Sequence, residues 1–222
     1  MIFSHQTLTK TLSWSDTSHI CELIIESPRF LREFLAALAR HEDEEKFSFI
    51  RDGKKLSLKD DVDIIFNPLK LEFNNKKALT VLLKMLVKTS LSEDFYESTN
   101  RFKTNIIKYL GKLTDVEDYS FEVDSEDFNL DVIAKAINLH IIGDEDDFVE
   151  LLTDYMSMMT ELLDTKLFIF INLRTFLEDN ELKRLIHNID NHEFDILLVE
   201  SQPENVDYRF EKIIIDHDLC EL

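Results

Sequence analysis

Five carboxylates in the second half of the chain have the type and spacing of a site for a hard cation. They are Glu122, Asp124, Glu126, Asp127 and Asp131. In an extended segment the side chains at 122, 124 and 126 point the same way, and Asp131, in the first turns of a following helix, adds further oxygens. Such a cage suits calcium, but it is not an EF-hand, because the required glycine and twelfth-position glutamate are missing. The same pattern is also typical of a solvated acidic surface.

A second acidic run, Asp144 to Asp147, precedes an apolar pattern with helical spacing. Carboxylates at the start of a helix accept hydrogen bonds from free backbone amides and interact favourably with the helix dipole. We therefore expect an N-cap here, and these oxygens are also available as cation ligands.

Basic side chains are concentrated just before these acids. Residues 70–112 hold nine lysines and arginines and four acids, whereas residues 113–164 hold one basic residue and sixteen acids. A net charge of −20 argues against nucleic acid as a partner, but this uneven distribution leaves one strongly basic segment. Lysine and arginine without asparagine, glutamine or aromatic clusters suit phosphate contacts rather than base recognition. The candidate contacts are Lys76, Lys77, Lys84, Lys88, Arg101, Lys103, Lys108 and Lys112, extended by Lys54 and Lys55. The alternative is a pair of helices kept in solution by their charges.

Other chemistries have less support in the sequence. The three glycines, Gly53, Gly111 and Gly143, cannot form a GxxxxGK[ST] or GxGxxG loop, so we expect no nucleotide site. Cys21 and Cys220 lie near opposite ends of the chain and outside any Cys/His cluster, which predicts free thiols rather than a disulfide or a zinc site.

The two ends of the chain carry the pattern of an α/β fold. The apolar run 167–172, the helical pattern 178–189 and the apolar run 196–199 predict a strand, helix and strand buried on both faces of a sheet. Further strands are predicted at 20–25, 62–66 and 212–215, with a helix opening at Ser27-Pro28 and a hairpin turn at Asp52-Gly53. Nucleotide-binding α/β domains place a glycine-rich loop after such a strand, and the residues following 172 contain no glycine.

The middle of the chain is predicted to be helical. Helices over 76–91 and from 92 to about 113 would carry the basic residues, and others follow at about 126–138 and after 144. The sequence thus predicts an α/β head made of residues 1–66 and 165–222, with an inserted, mainly helical leg of residues 67–164.

The location expected from the sequence is the cytoplasm. No apolar run approaches the roughly 20 residues that a membrane span needs, and the N-terminal residues are too polar for a signal peptide. We expect no membrane partner.

This layout resembles the short form of the Csn2 family, a CRISPR-associated adaptation protein of type II-A loci. The resemblance rests on residues 166–172, 175–181 and 195–200, the lysine-bearing helices, Glu122-Val123-Asp124, and residues 213–216. These motifs are patterns of apolar and acidic residues. Glu122 and Asp124 match the family directly, whereas Glu126, Asp127 and Asp131 lie where the spacing departs from it.

The resemblance implies a head related to P-loop folds but without a working nucleotide loop. It also implies a ring-shaped homotetramer with calcium bound in the leg, and a positively charged channel that takes ends of double-stranded DNA without sequence preference. No catalytic activity is implied. The family is needed for spacer acquisition in antiviral defence, beside the CRISPR spacer integrase and the RNA-guided effector nuclease.

Two other functions remain open at this point. The acidic cluster would suit a metal-dependent nuclease that uses paired metals as Lewis acids, although Lys135 is the only lysine near the cluster in sequence. The other is an interaction module without a role in DNA binding.

Overall fold

The computed structural model of the protein describes residues 1–15, 18–40, 46–114, 128–143, 146–203 and 210–222. The strands are β1 (Ile2–His5), β2 (Leu12–Ser13), β3 (Ile20–Ile25), β4 (Phe47–Arg51), β5 (Lys54–Lys55), β6 (Val62–Ile65), β7 (Leu167–Ile171), β8 (Ile196–Glu200) and β9 (Glu211–Ile215). The helices are α1 (Pro28–Arg40), α2 (Lys76–Ser90), α3 (Glu93–Thr114), α4 (Leu130–Ala136), α5 (Phe148–Leu163) and α6 (Asp179–His192), with a 3-10 helix at Leu173–Phe176.

The described residues form two compact units. The first unit consists of Met1–Phe73 and Ile142–Leu222, and the second of Asn74–Ile141. The second unit is shorter than the predicted leg of 67–164, because α5 belongs to the first unit. Its residues Leu152 and Met156 share a buried core with Phe168 and Phe170 of β7.

A five-stranded parallel sheet in the order β6-β7-β8-β3-β9 forms the centre of the first unit. Alternate residues of β7 face opposite cores, with Leu167 and Ile169 on the side of α1 and Phe168 on the side of α5 and α6. Burial on both faces explains why these strands read as continuous apolar runs. The predicted α/β fold is therefore confirmed.

An antiparallel sheet in the order β2-β1-β4-β5 packs in the same core as α1. The β4–β5 hairpin turns at Asp52 and Gly53, whose φ angles are 51° and 75°. Two successive left-handed residues match the twist of a tight hairpin, so the predicted Asp-Gly turn is confirmed.

The second unit is built from α2, α3 and α4. Asn75 caps α2, because its Oδ1 accepts a hydrogen bond of 2.9 Å from the backbone N–H of Ala78. The side chain of Asn74 makes hydrogen bonds of 2.8 and 2.7 Å with the backbone C=O and N–H of Ile141. The two ends of the unit are thus joined by one asparagine.

Candidate nucleic-acid interface and cation site

The basic residues of α2 form a single stripe. Lys77, Lys84 and Lys88 stand at positions i, i+7 and i+11, which places them within about 40° of one another around the helix and over about 16 Å of its length. α2 contains no acidic residue. The stripe therefore presents positive charge along the length of the helix.

The same spacing recurs on α3. Arg101, Lys108 and Lys112 again stand at i, i+7 and i+11, so they form a second stripe of about 16 Å. The acids of α3 all lie before residue 98, where they complement the N-terminal end of the helix dipole. The two helices thus repeat one arrangement of three cations.

Most of these cations point into solvent. Lys76, Lys84, Lys88, Lys108 and Lys112 are exposed, and none forms an ion pair with another described residue. Arg101 is paired with Glu97 across one helical turn, at 3.0 Å. An exposed ion pair of this kind contributes little to stability, so the Arg101 guanidinium can readily leave Glu97 for another anion.

Lys103 differs from the other predicted phosphate contacts. It is half-buried, and its ammonium lies 5.8 Å from the ring centroid of Phe128. The Phe128 ring also meets that of Phe102 edge to face, at 6.1 Å. Lys103 thus takes part in the packing of its own unit through a cation–π contact, on a different face of α3 from Arg101.

Lys54 and Lys55 lie on β5, in the first unit, whereas the other predicted basic residues lie in the second. Both line a cavity of about 680 Å³, which also holds Asp61, Asp164 and Asp195. Carboxylates among these lysines make this cavity a less favourable place for a phosphate than the stripes on α2 and α3.

Of the five carboxylates predicted to form the calcium site, Asp131 alone is among the described residues; Glu122, Asp124, Glu126 and Asp127 lie outside them. Its Oδ2 accepts a hydrogen bond of 2.8 Å from Lys135 Nζ, and this bond holds the pKa of the carboxyl group below its usual value. Its Oδ1 is inaccessible to solvent and has no hydrogen-bond partner in the described parts of the chain. One oxygen of Asp131 therefore fits a calcium ligand, and the other is held by a lysine.

The described residues contain no group of three or more histidine, cysteine or acidic side chains arranged to hold a metal ion. The other four predicted ligands, at 122–127, lie outside the described residues, so this search does not include them.

The structure brings Asp131 together with one of the basic residues. Asp131 and Lys84 line a cavity of about 380 Å³ in the second unit, with Lys135, Asn129 and Thr80. Lys135 and Asn129 were not predicted as binding residues. The spacing of Asp131 and Lys135, four residues apart in a helix, was the signal that could have identified the pair.

Asp147 has the predicted capping role. Its Oδ1 accepts hydrogen bonds from the backbone N–H groups of Val149 and Glu150, at 3.0 and 3.2 Å. Its Oδ2 accepts one of 2.7 Å from Arg184, which lowers the pKa of the Asp147 carboxyl group. The N-cap interpretation is confirmed for this residue.

The carboxyl edge of the parallel sheet holds a buried ion pair. Arg174, just after β7, reaches Glu22 in β3 with an N–O distance of 2.5 Å, and its backbone N–H donates to Glu200 at the end of β8 over 3.2 Å. In open α/β sheets, ligands bind outside the carboxyl ends of the strands, where the strand order reverses. Here β3, the first strand of the sheet in sequence, lies beyond β8, and Arg174 extends from the end of β7 to Glu22 in the middle of β3.

The sequence analysis did not predict the contacts among Arg174, Glu22 and Glu200, because it considered a phosphate loop only after β7. The strand order shows that the loop after β3 also lies at the carboxyl edge, and residues 26–27 between β3 and α1 contain no glycine. Glu22, a charged residue inside the apolar run 20–25, was the available signal, since buried charges require a partner.

The second unit exposes many large apolar side chains. Along α3, Phe95, Phe102 and Tyr109 recur every seven residues and are 51%, 43% and 62% exposed. A seven-residue apolar repeat is typical of a helix that packs against another helix, and exposed apolar patches mark interaction sites. This face of α3 is therefore a candidate protein interface.

No described helix is long and apolar enough to cross a membrane. Both cysteines are free thiols, with Cys21 buried and Cys220 exposed.

Comparison with known proteins identifies one family. The sequence model of a family described as "CRISPR-associated protein (Cas_Csn2)" matches residues 40–219. No curated protein matches the chain. The matched residues include both basic stripes, the acidic segment and all of the parallel sheet except β3.

Proposed function

Because the chain belongs to the Cas_Csn2 family of CRISPR-associated proteins, we propose that it binds the ends of double-stranded DNA, without sequence preference, during the acquisition of CRISPR spacers. In this proposal the protein is not an enzyme. It holds DNA for its partners, the CRISPR spacer integrase and the RNA-guided effector nuclease.

The observation that carries this proposal is the pair of basic stripes on α2 and α3. Each stripe offers three cations over about 16 Å, a length over which duplex DNA presents several phosphates. The net charge of −20 does not oppose this contact, because charges further away than a screening length of roughly 8–10 Å contribute little at physiological salt. Phosphate contacts carry no sequence information, which agrees with binding that ignores sequence.

Assembly into a ring-shaped homotetramer is the second part of the proposal. The apolar repeat Phe95, Phe102 and Tyr109 supports it, since a partner helix would cover these exposed rings. A closed ring lined with basic side chains admits a linear duplex only through a free end, and this explains a preference for DNA ends.

Calcium is the proposed cofactor, with Glu122, Asp124, Glu126, Asp127 and Asp131 as its ligands. The support from the described residues is the partnerless Oδ1 of Asp131 and the hard oxygen chemistry of the other four side chains. Bound calcium would neutralise carboxylates that otherwise repel one another, and would thereby stabilise the second unit.

A titration of labelled duplexes tests DNA binding. Two duplexes of equal length and unrelated sequence should bind with equal affinity, and the binding constant should fall steeply as the salt concentration rises. A strong preference for one sequence would contradict phosphate recognition. Incubation of the complexes with magnesium or manganese tests the nuclease alternative, and cleavage at saturating binding would contradict a purely DNA-holding role.

A further inference from the structure

The cavity between α2 and α4 in the second unit combines two cations with one internal anion. Lys84 comes from α2, Lys135 and Asp131 come from α4, and Asn129 and Thr80 add polar groups to the lining. Its volume of about 380 Å³ leaves room for a tetrahedral oxyanion.

The two lysines differ in what they contact. Lys84 makes no ion pair with another described residue. Lys135 Nζ donates a hydrogen bond of 2.8 Å to Asp131 Oδ2, so a carboxylate already lies against it within this cavity. One of the two cations that line the cavity is therefore already paired with a carboxylate of the protein itself.

We propose that this cavity is a binding site for a backbone phosphate of nucleic acid, formed by Lys84 and Lys135, and that Asp131 is an internal competitor which occupies Lys135 in the absence of DNA. This inference rests on the proposed DNA binding, and it adds Lys135 and Asp131 as residues that set its strength.

The contact between Asp131 and Lys135 is weak enough for a phosphate to replace it. The side chains of Lys135 and Asp131 are 61% and 27% exposed, and an exposed pair four residues apart in a helix is a weak interaction. A phosphate contacting both Lys84 and Lys135 gains two charge-assisted contacts, whereas the carboxylate has one. Phosphate can therefore displace Asp131 from Lys135.

Four variants test the inference in the presence of a chelator, so that no divalent cation contributes. They are Asp131→Asn, Lys135→Met, the double variant, and Glu150→Gln as the matched control. Glu150 is an acid paired with Arg184 in the first unit, so its replacement removes the same charge far from the cavity residues in sequence. Circular dichroism first establishes that each variant is folded.

The affinity for a linear duplex is then measured as a function of salt. We expect Asp131→Asn to bind roughly two- to fivefold more tightly at about 0.1 M salt, because Lys135 no longer has a competitor. The slope of log K against log salt should become steeper by about 0.9, the value for one additional phosphate contact. Lys135→Met should bind more weakly, and the double variant should match Lys135→Met.

The outcomes separate three claims, namely the competition by Asp131, the role of Lys135 and DNA binding itself. If Asp131→Asn binds no more tightly than Glu150→Gln, the competition is refuted. A gain that persists in the double variant means that Asp131 acts by its charge alone, which overturns the role of Lys135. If the wild-type protein binds no duplex at any salt concentration, either with calcium or with chelator, the proposed function itself fails, and this inference fails with it.

Discussion

Arg174 Nη1 lies 2.5 Å from Glu22 Oε1, and both side chains are only 4% exposed. Arg174 follows the end of β7, whereas Glu22 lies in the middle of β3, so the pair joins two strands that are not neighbours in the sheet. Removing one partner of a buried ion pair leaves an uncompensated charge, which typically costs about 3–5 kcal/mol. We therefore predict that Arg174→Met lowers the free energy of unfolding by about that amount, as measured by urea denaturation.

The control for this prediction is Arg29→Met. Arg29 is paired with Glu33, but their side chains are 84% and 58% exposed, so its loss should cost less than about 1 kcal/mol. Equal losses in the two variants would show that the Arg174 contact contributes no more than a surface pair.

The Asp63–Tyr155 hydrogen bond of 2.8 Å leads to a prediction about pH. Burial raises the pKa of Asp63 above 3.8, so the folded protein binds this proton more tightly than the unfolded chain. As the pH rises above 3.8, the carboxyl group therefore lowers stability, and this effect becomes constant once the group is ionised in the folded protein as well. Asp63→Asn keeps an acceptor for Tyr155 without the charge, and it should be more stable than the wild type at pH 7.

The measurement is the urea midpoint of both proteins between pH 4 and pH 8. The advantage of Asp63→Asn should shrink as the pH falls towards 4. A difference that does not change with pH would contradict the raised pKa.

The basic stripe on α2 predicts a strong effect of charge reversal. The double variant Lys84→Glu and Lys88→Glu should bind a linear duplex at least roughly tenfold more weakly, and its salt slope should fall by about 1.8, as expected for two lost phosphate contacts. Fluorescence anisotropy at several salt concentrations gives both quantities.

Lys183→Glu is a control that reverses one charge away from the stripe, because Lys183 is an exposed lysine of α6 in the first unit. Equal affinities of the stripe variant and the wild type would remove DNA binding from this surface and favour an interaction module without a DNA role.

The apolar repeat on α3 predicts an effect on assembly. Replacing Phe95 and Tyr109 by glutamate places charges in the proposed helix contact. If the protein forms the proposed tetramer through this contact, the variant should form smaller species, which light scattering detects. Thr104→Glu adds a charge at an exposed position on another face of α3 and should leave the mass unchanged. A tetramer in the Phe95 and Tyr109 variant would place the subunit contact elsewhere.

Calcium removal should also shift the mass of the protein. We expect a tetramer with calcium and a larger share of smaller species with chelator, because the acidic segment then loses its counter-ions. A monomer under both conditions would contradict the ring.

The sequence predicted the fold well where burial was extensive. The apolar run 167–172 contains β7 (Leu167–Ile171), because a strand buried on both faces is apolar throughout. Ser27-Pro28 and Asp52-Gly53 produced the expected helix start and turn, since these two features depend on local geometry. The predicted leg, 67–164, includes α5, whereas the structure packs α5 in the first unit. The sequence of an amphipathic helix shows which of its faces is apolar, but it does not show which element that face packs against.

The candidate site was predictable in its charge and less so in its contacts. The spacing of Lys84, Lys88 and Lys108 fixed their positions on helix faces. The cation–π contact of Lys103 and the cavity that joins Lys84 to Asp131 depend on how separate helices pack. Such contacts follow from tertiary structure, and spacing along one helix does not determine them.

The most direct test of the proposed function compares one DNA sequence in two forms. A linear duplex and the covalently closed circle made from it carry the same phosphates, so they differ only in the presence of free ends. If the protein binds DNA by admitting an end into a basic ring, a low protein concentration shifts the linear duplex in a gel and does not shift the circle. Equal retention of both forms would contradict end binding.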